Sequence, residues 1–161
     1  MRLFICEKPS LASVVASFLG KPKKEDGYYS VAGDCVAWLY GHILGLDEPD
    51  DYDPALKNFS YDTLPIVPSP FKKHVKGGSS KNAFNVIKKL AKDADEIIHV
   101  GDPDREGQYL VDEVLEAIKN KKPTKRLLIN AYDDVSVKRA FDSMEDNSFS
   151  KFRNQYKAAL G

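Results

Sequence analysis

What the chain has little of narrows its class first. It carries two cysteines, Cys6 and Cys35, and they form neither a CxxC pair nor a metal-ligand spacing. That excludes a disulfide scaffold and a zinc finger, and it points to a reduced, cytoplasmic setting. No apolar run comes near the ~20 residues a membrane helix needs, so no membrane partner is expected. The N-terminus, MRLFICEKPS, has only Leu3 to Cys6 before the charges begin, which is short of a signal-peptide core. An excess of charge is also missing: 24 basic side chains meet 24 acidic ones, for a formal net charge of zero. Nucleic-acid binders usually carry a basic surplus, so the balance argues on its face against such a partner. A balance, however, says nothing about where the charges sit.

What is present describes a folded domain. Apolar residues make up 42% of the sequence and aromatics 11%, which excludes intrinsic disorder. A length of 161 residues fits one domain at about 150 residues per domain, with enough buried surface for a real core. The charges are blocked along the chain. Basic clusters lie at Lys21, Lys23 and Lys24, at Lys72, Lys73 and Lys76, and at Lys119, Lys121, Lys122, Lys125 and Arg126. An acidic cluster runs through Asp47, Glu48, Asp50, Asp51 and Asp53. Each is either a solvated loop or a patch that tracks a phosphate backbone.

The periodicity alternates between two and 3.6. Residues 2–6 read as a short apolar strand. Pro9 suits the first turn of a helix, on which Leu11, Val14, Val15 and Phe18 fall at helical spacing before Gly20. Residues 27–40, rich in Tyr and Val around Gly33-Asp34, predict a hairpin. From 41 to 80 the pattern fades, and Pro49, Pro54, Pro65, Pro68 and Pro70 indicate a long loop or hairpin insertion. A helix bearing Phe84, Ile87, Leu90 and Ala91 follows. The second half predicts a strand at 96–100, a turn at 101–107, a helix at 109–119, a strand at 126–130, a helix capped by Asp133 or Asp134, and a last helix at 149–160. Strands alternating with helices define an α/β domain with a mostly parallel central sheet.

Two groups sit where such sheets bind ligands, at the C-terminal ends of strands. Glu7-Lys8 follows the first strand, and Gly101-Asp102-Pro103-Asp104-Arg105-Glu106-Gly107 follows the strand at 96–100. In extended backbone every second side chain shares a face, so Asp102, Asp104 and Glu106 are expected to converge, with Glu7 adding a fourth carboxylate. Clustered like charges repel, and a cation would relieve them. All-oxygen donors suit Mg²⁺, and the lack of nearby His or Cys ligands disfavours Zn²⁺. On this reading, neutralising the carboxylates raises metal-free stability. Lys8 and Arg105 would then supply a point charge and a fork to phosphate oxygens. The plainer reading of DPDREG is a polar turn that caps a helix. Cys6 and His99 read as buried core groups, and Trp38 and Tyr109 as packing residues.

The combination of Glu7 with Asp-x-Asp-x-Glu-Gly resembles the TOPRIM domain. EKPSLA, WLYGHILGL, YDPALKNF, LPIVP and HVGDPDREGQYLVDEVL, in that order, resemble the successive motifs of type IA DNA topoisomerases of the bacterial topoisomerase III kind. The departures are mild: Gly45 stands where many relatives carry Glu, and Phe59 where Trp is common. The resemblance implies a Rossmann-like TOPRIM fold over 1–161, with about 150–161 beginning the link to a further, helical domain. It implies an ATP-independent isomerase that cuts one DNA strand through a 5′-phosphotyrosine and reseals it. None of the eight tyrosines sits in a context like the family's nucleophile, so the tyrosine is expected in another domain of the same polypeptide. By position, Asp102 and Asp104 would bind Mg²⁺ (or Mn²⁺ in its place) with Glu106 assisting. Glu7 would sit at the scissile phosphate and Lys8 would stabilise charge there. Arg105, Lys72, Lys73 and His74 are candidate contacts to a single-stranded DNA segment. A bacterial cytoplasmic location at the nucleoid follows. The alternatives are a self-contained TOPRIM nuclease or primase-type protein, and a non-catalytic DNA-binding module.

Overall fold

The computed structural model describes residues 1–40, 78–148, 152 and 154 and, as backbone, 44–46 and 73–75. Its central element is β1 (Arg2–Cys6), a strand buried on both faces. Leu3 and Ile5 enter one core and Phe4 and Cys6 the other, as two-residue alternation requires. Such a strand reads as a continuous apolar run because neither side meets water.

Around β1 the sheet is built from β2 (Lys23–Lys24), β3 (Tyr28–Val31), β4 (Asp34–Trp38), β7 (Glu96–Val100), β8 (Thr124–Arg126) and β9 (Glu145–Asp146). Its order is β2-β3-β4-β1-β7-β8-β9. The inner pairs β4·β1, β1·β7 and β7·β8 are parallel, and the outer pairs are antiparallel. The predicted hairpin is β3–β4. Its turn is Ala32-Gly33, both at positive φ (49° and 81°), one residue earlier than the sequence suggested. That is the two-residue primed geometry whose twist matches the strands.

Helices cover both faces. α1 (Pro9–Leu19) and α4 (Asp134–Asp142) pack with Phe4, Val36 and Ile98. α2 (Ser79–Asp93) and α3 (Arg105–Ala117) pack with Leu3, Ile5 and Ile97. Cys6 is fully buried and Trp38 nearly so, the latter 5.1 Å from the Tyr29 ring, as expected of filler and packing groups.

Within the expected insertion, β5 (Leu44–Leu46) and β6 (Lys73–Val75) pair antiparallel as a separate two-stranded sheet. His42, Lys72, Lys76, the acidic cluster at 47–53 and the proline-rich stretch lie outside the described residues, and of the predicted helix at 149–160 only 152 and 154 are described, both helical. Among the described residues, no helix is long and apolar enough to cross a membrane.

The chain leaves β1 on one face through α1 toward β4, and leaves β7 on the other face through α3 toward β8. The two crossovers diverge between β1 and β7, which makes the C-terminal ends of these strands the sheet's topological switch point, the place where such sheets bind ligands. Glu7 and the 101–107 turn both stand there.

Candidate active site at the switch point between β1 and β7

Backbone pairing carries the two loops past the sheet together. The Glu7 N–H donates to the Val100 carbonyl at 3.1 Å. In return, Glu7 Oε2 accepts the Asp102 N–H at 2.8 Å. Lys8 Nζ stands 3.5 Å from Asp102 Oδ2, both side chains about a third to a half exposed. Burial, and beyond it the charges of Asp102 and Asp104, push the Glu7 carboxyl above its ordinary range, while the Asp102 N–H pulls the other way. The Asp102 carboxylate pushes the Lys8 ammonium up.

The turn itself is closed by a contact that only glycine permits. A Cβ on Gly101 would run into the Gly107 carbonyl, and a Cβ on Gly107 into the Asp102 backbone. Side chains at either position would force the turn open. This tight closure brings α3 forward: it begins at Arg105, four residues ahead of the predicted start. Asp104 is its N-cap, in extended conformation, and accepts the Gly107 N–H at 2.6 Å.

The expected convergence of three carboxylates is therefore not what forms. Among the described residues, no group of three His, Cys, Asp or Glu side chains is close enough to hold a metal ion. The two-residue alternation ends where the helix begins. Asp102 stays beside Glu7, Asp104 turns to a backbone donor, and Glu106 and Arg105 are exposed on the first turn of α3. The polar-turn reading and the ligand reading thus share residues. Of the other DNA-contact candidates, Lys73 and His74 lie in β6, where the backbone alone is described, and Lys72 lies outside the described residues.

Beneath the turn lies a buried polar network that the sequence reading missed. Arg126, at the end of β8, is 1% exposed and so does not belong to a surface basic cluster. Its guanidinium donates to the carbonyls of Gly101 and Asp102 at 2.7 Å each, to the Leu127 carbonyl at 3.1 Å and to Gln108 Oε1 at 2.8 Å. Burial lowers its pKa to about 10, and the carboxylates of Asp112, Glu7, Asp104 and Asp102 hold it up. Gln108 in turn donates to Asp112 at 2.7 Å and to Asn147 at 2.8 Å, and Asn147 donates to Asp112 at 2.9 Å. His99 completes the set. Its Nδ1 accepts the Gly101 N–H at 3.3 Å, and its Nε2 lies 3.0 Å from the Gln108 carbonyl. These partners select a neutral ring with the proton on Nε2. Burial, then Arg126, hold the ring's pKa well below the ordinary range. Asp112 stands 3.4 Å from Nε2 and also accepts the amide donors of Gln108 and Asn147. The expected core role of His99 holds.

A mostly parallel sheet with helices on both faces, and paired carboxylates with a lysine at its switch point, defines an α/β domain of the Rossmann-like kind. The chain belongs to the Toprim domain family, which it matches over residues 2–132. It is 46% identical over 152 residues to DNA topoisomerase 3 of Vibrio cholerae, covering 91% of this chain and 23% of that protein. It is 43% identical over 154 residues to DNA topoisomerase 3 of Salmonella typhimurium, covering 92% and 24%. Full-length topoisomerase I from Thermotoga maritima shares the fold at a TM-score of 0.60 and 19% identity, over 99% of this chain and 23% of that one. The chain thus spans about a quarter of the length of the curated relatives it matches.

Proposed function

We propose that the chain is the Toprim domain of a type IA DNA topoisomerase of the topoisomerase 3 kind, an ATP-independent isomerase acting on bacterial nucleoid DNA in the cytoplasm. The single observation that carries this is the linkage of Glu7, Lys8 and Asp102 at the switch point, reinforced by the topoisomerase 3 relatives. One DNA strand is cleaved and resealed through a 5′-phosphotyrosine whose tyrosine lies outside these 161 residues, in the remaining domains of the same polypeptide.

In this reading Lys8 places a positive charge at the scissile phosphate and steadies the charge that develops there. Glu7, set on the rigid end of β1, handles the proton of the 3′-oxygen or joins the metal site. The donor set fits Mg²⁺, with Mn²⁺ as a substitute: the side chains on offer present only hard oxygens, and the charges of Asp102 and Asp104 both reach Glu7. Asp102 and Asp104, with Glu106 assisting, would hold the ion once Asp104 gives up its cap. The ion supplies charge neutralisation at the phosphate. Arg105, Lys72, Lys73 and His74 serve as further DNA contacts.

The test is complementation. The chain is mixed with a topoisomerase 3 that lacks its own Toprim region but keeps its tyrosine, and Mg²⁺-dependent cleavage of single-stranded DNA is measured. The expected result is restored cleavage, lost with Glu7→Ala or Asp102→Ala, and no relaxation of supercoiled plasmid by the chain alone. Metal-dependent nicking by the chain alone would support the self-contained nuclease instead. Failure of every arm would leave a non-catalytic DNA-binding module.

A further inference from the structure

Four large apolar or aromatic side chains are exposed among the described residues: Phe18, Tyr40, Tyr132 and Val135. Phe18 is accounted for, stacked on Phe141 with 4.5 Å between ring centroids, and Val135 lies on α4. The two tyrosines share a different address. Tyr40 follows β4, two residues past its end, where the Leu39 N–H still pairs with the Cys6 carbonyl. Tyr132 follows β8 on the segment that leads to α4, and its phenolic oxygen counts among the groups acting on the Lys8 ammonium. Because β4, β1, β7 and β8 are neighbours and parallel, their C-terminal ends form one edge. Tyr40 stands there beside Glu7, through the pairing of Leu39 with Cys6, and Tyr132 stands within electrostatic reach of Lys8. The rings are 52% and 46% exposed, whereas Tyr28 and Tyr29 on β3 pack against the two cores.

We propose that Tyr40 and Tyr132 form a two-sided stacking site for the bases of a single-stranded polynucleotide whose central phosphate sits at Lys8. The inference deepens the DNA reading of the site and rests on it. An edge on which Glu7, Asp102, Asp104 and Glu106 outnumber Lys8 and Arg105 cannot grip a polyanion by net charge. Aromatic faces do so without charge and without sequence preference, since every base has a π-face. Both tyrosines stand beside the Glu7–Lys8 pair, so rings that engage bases there fix which phosphate reaches Glu7 and Lys8.

The test is fluorescence anisotropy of a labelled octathymidylate titrated with the 161-residue chain at about 50 and 200 mM salt, beside an octamer abasic at every position. Tyr40→Ala and Tyr132→Ala are each expected to weaken binding of the octathymidylate about ten-fold, by the same factor at both salts. Tyr40→Phe and Tyr132→Phe keep wild-type affinity, and the abasic octamer does not distinguish any of these proteins. Lys8→Ala shows a loss that shrinks as salt rises. Alanine variants that bind like wild type while Lys8→Ala weakens binding would overturn the stacking site and leave the DNA reading standing. A loss with phenylalanine equal to that with alanine would overturn stacking in favour of hydroxyl contacts. No binding of either octamer by the wild-type chain would overturn both readings.

Discussion

Arg126 is the side chain on which the acidic turn depends. It answers the carbonyls of Gly101 and Asp102 from below while Glu7 answers the Asp102 N–H from the side. Removing it leaves several buried acceptors without donors, and breaking a buried charge network from one side costs roughly 3–5 kcal/mol. Arg126→Met should therefore lower unfolding stability by that amount in urea titration. Arg126→Lys should rescue little, because an ammonium cannot serve a fork of acceptors. His99 makes a prediction of opposite character. Its folded pKa lies below the unfolded value, so the unfolded chain takes up the proton first and stability falls as pH drops below ~6.5. One such group contributes a slope of at most about 1.4 kcal/mol per pH unit. Thermal unfolding between pH 7.5 and 5.5 should show this loss, and His99→Gln should flatten the profile. An unchanged profile would mean the ring is not held neutral.

At the scale of elements, the junction of β7 with α3 decides the site. The helix starts early because Asp104 caps it and the two glycines close against one another. Asp104→Ala should lower metal-free stability by about 1 kcal/mol through loss of the cap, whereas Asp104→Asn should keep most of it. Simple repulsion among carboxylates predicts a gain for both, so urea unfolding of the pair separates the two effects. Gly101→Ala should cost about 2 kcal/mol or more, since the obstacle is backbone and not a movable side chain, seen as a fall in Tm of several degrees.

For the molecule as a whole, the zero net charge acquires a meaning. Acidic groups at the edge offset basic clusters elsewhere, so the proposed DNA binding does not depend on bulk charge. Mg²⁺ offers the global check. A ligand at ten times its Kd contributes about 1.4 kcal/mol of stability, so calorimetry should show Tm rising with Mg²⁺ in the wild-type chain. Asp102→Asn should abolish the rise while leaving the fold intact. A rise that survives the substitution would place the ion elsewhere.

The sequence by itself determined β1, β7, the β3–β4 hairpin, the helices α1 to α4 and the residues of the acidic turn; it set a strand at 126–130 where the structure has β8 at Thr124–Arg126, and it missed the short edge strands β2 and β9. Apolar alternation, helical spacing and glycine or proline punctuation are local signals, and residues such as Leu3, Pro9 and Val114 write them plainly. Only the tertiary structure decided what those residues meet. Arg126 read as one more lysine-cluster charge because nothing local marks a strand end that will be covered by Gln108 and the 101–107 turn. Asp102 and Asp104 read as equivalent because alternation holds only until a helix begins, and the early start of α3 depends on two glycines closing across the turn. Tyr40 stands beside Glu7 only through the strand order, and the order follows from crossovers that bury both faces of β1, a condition no local stretch of chain contains.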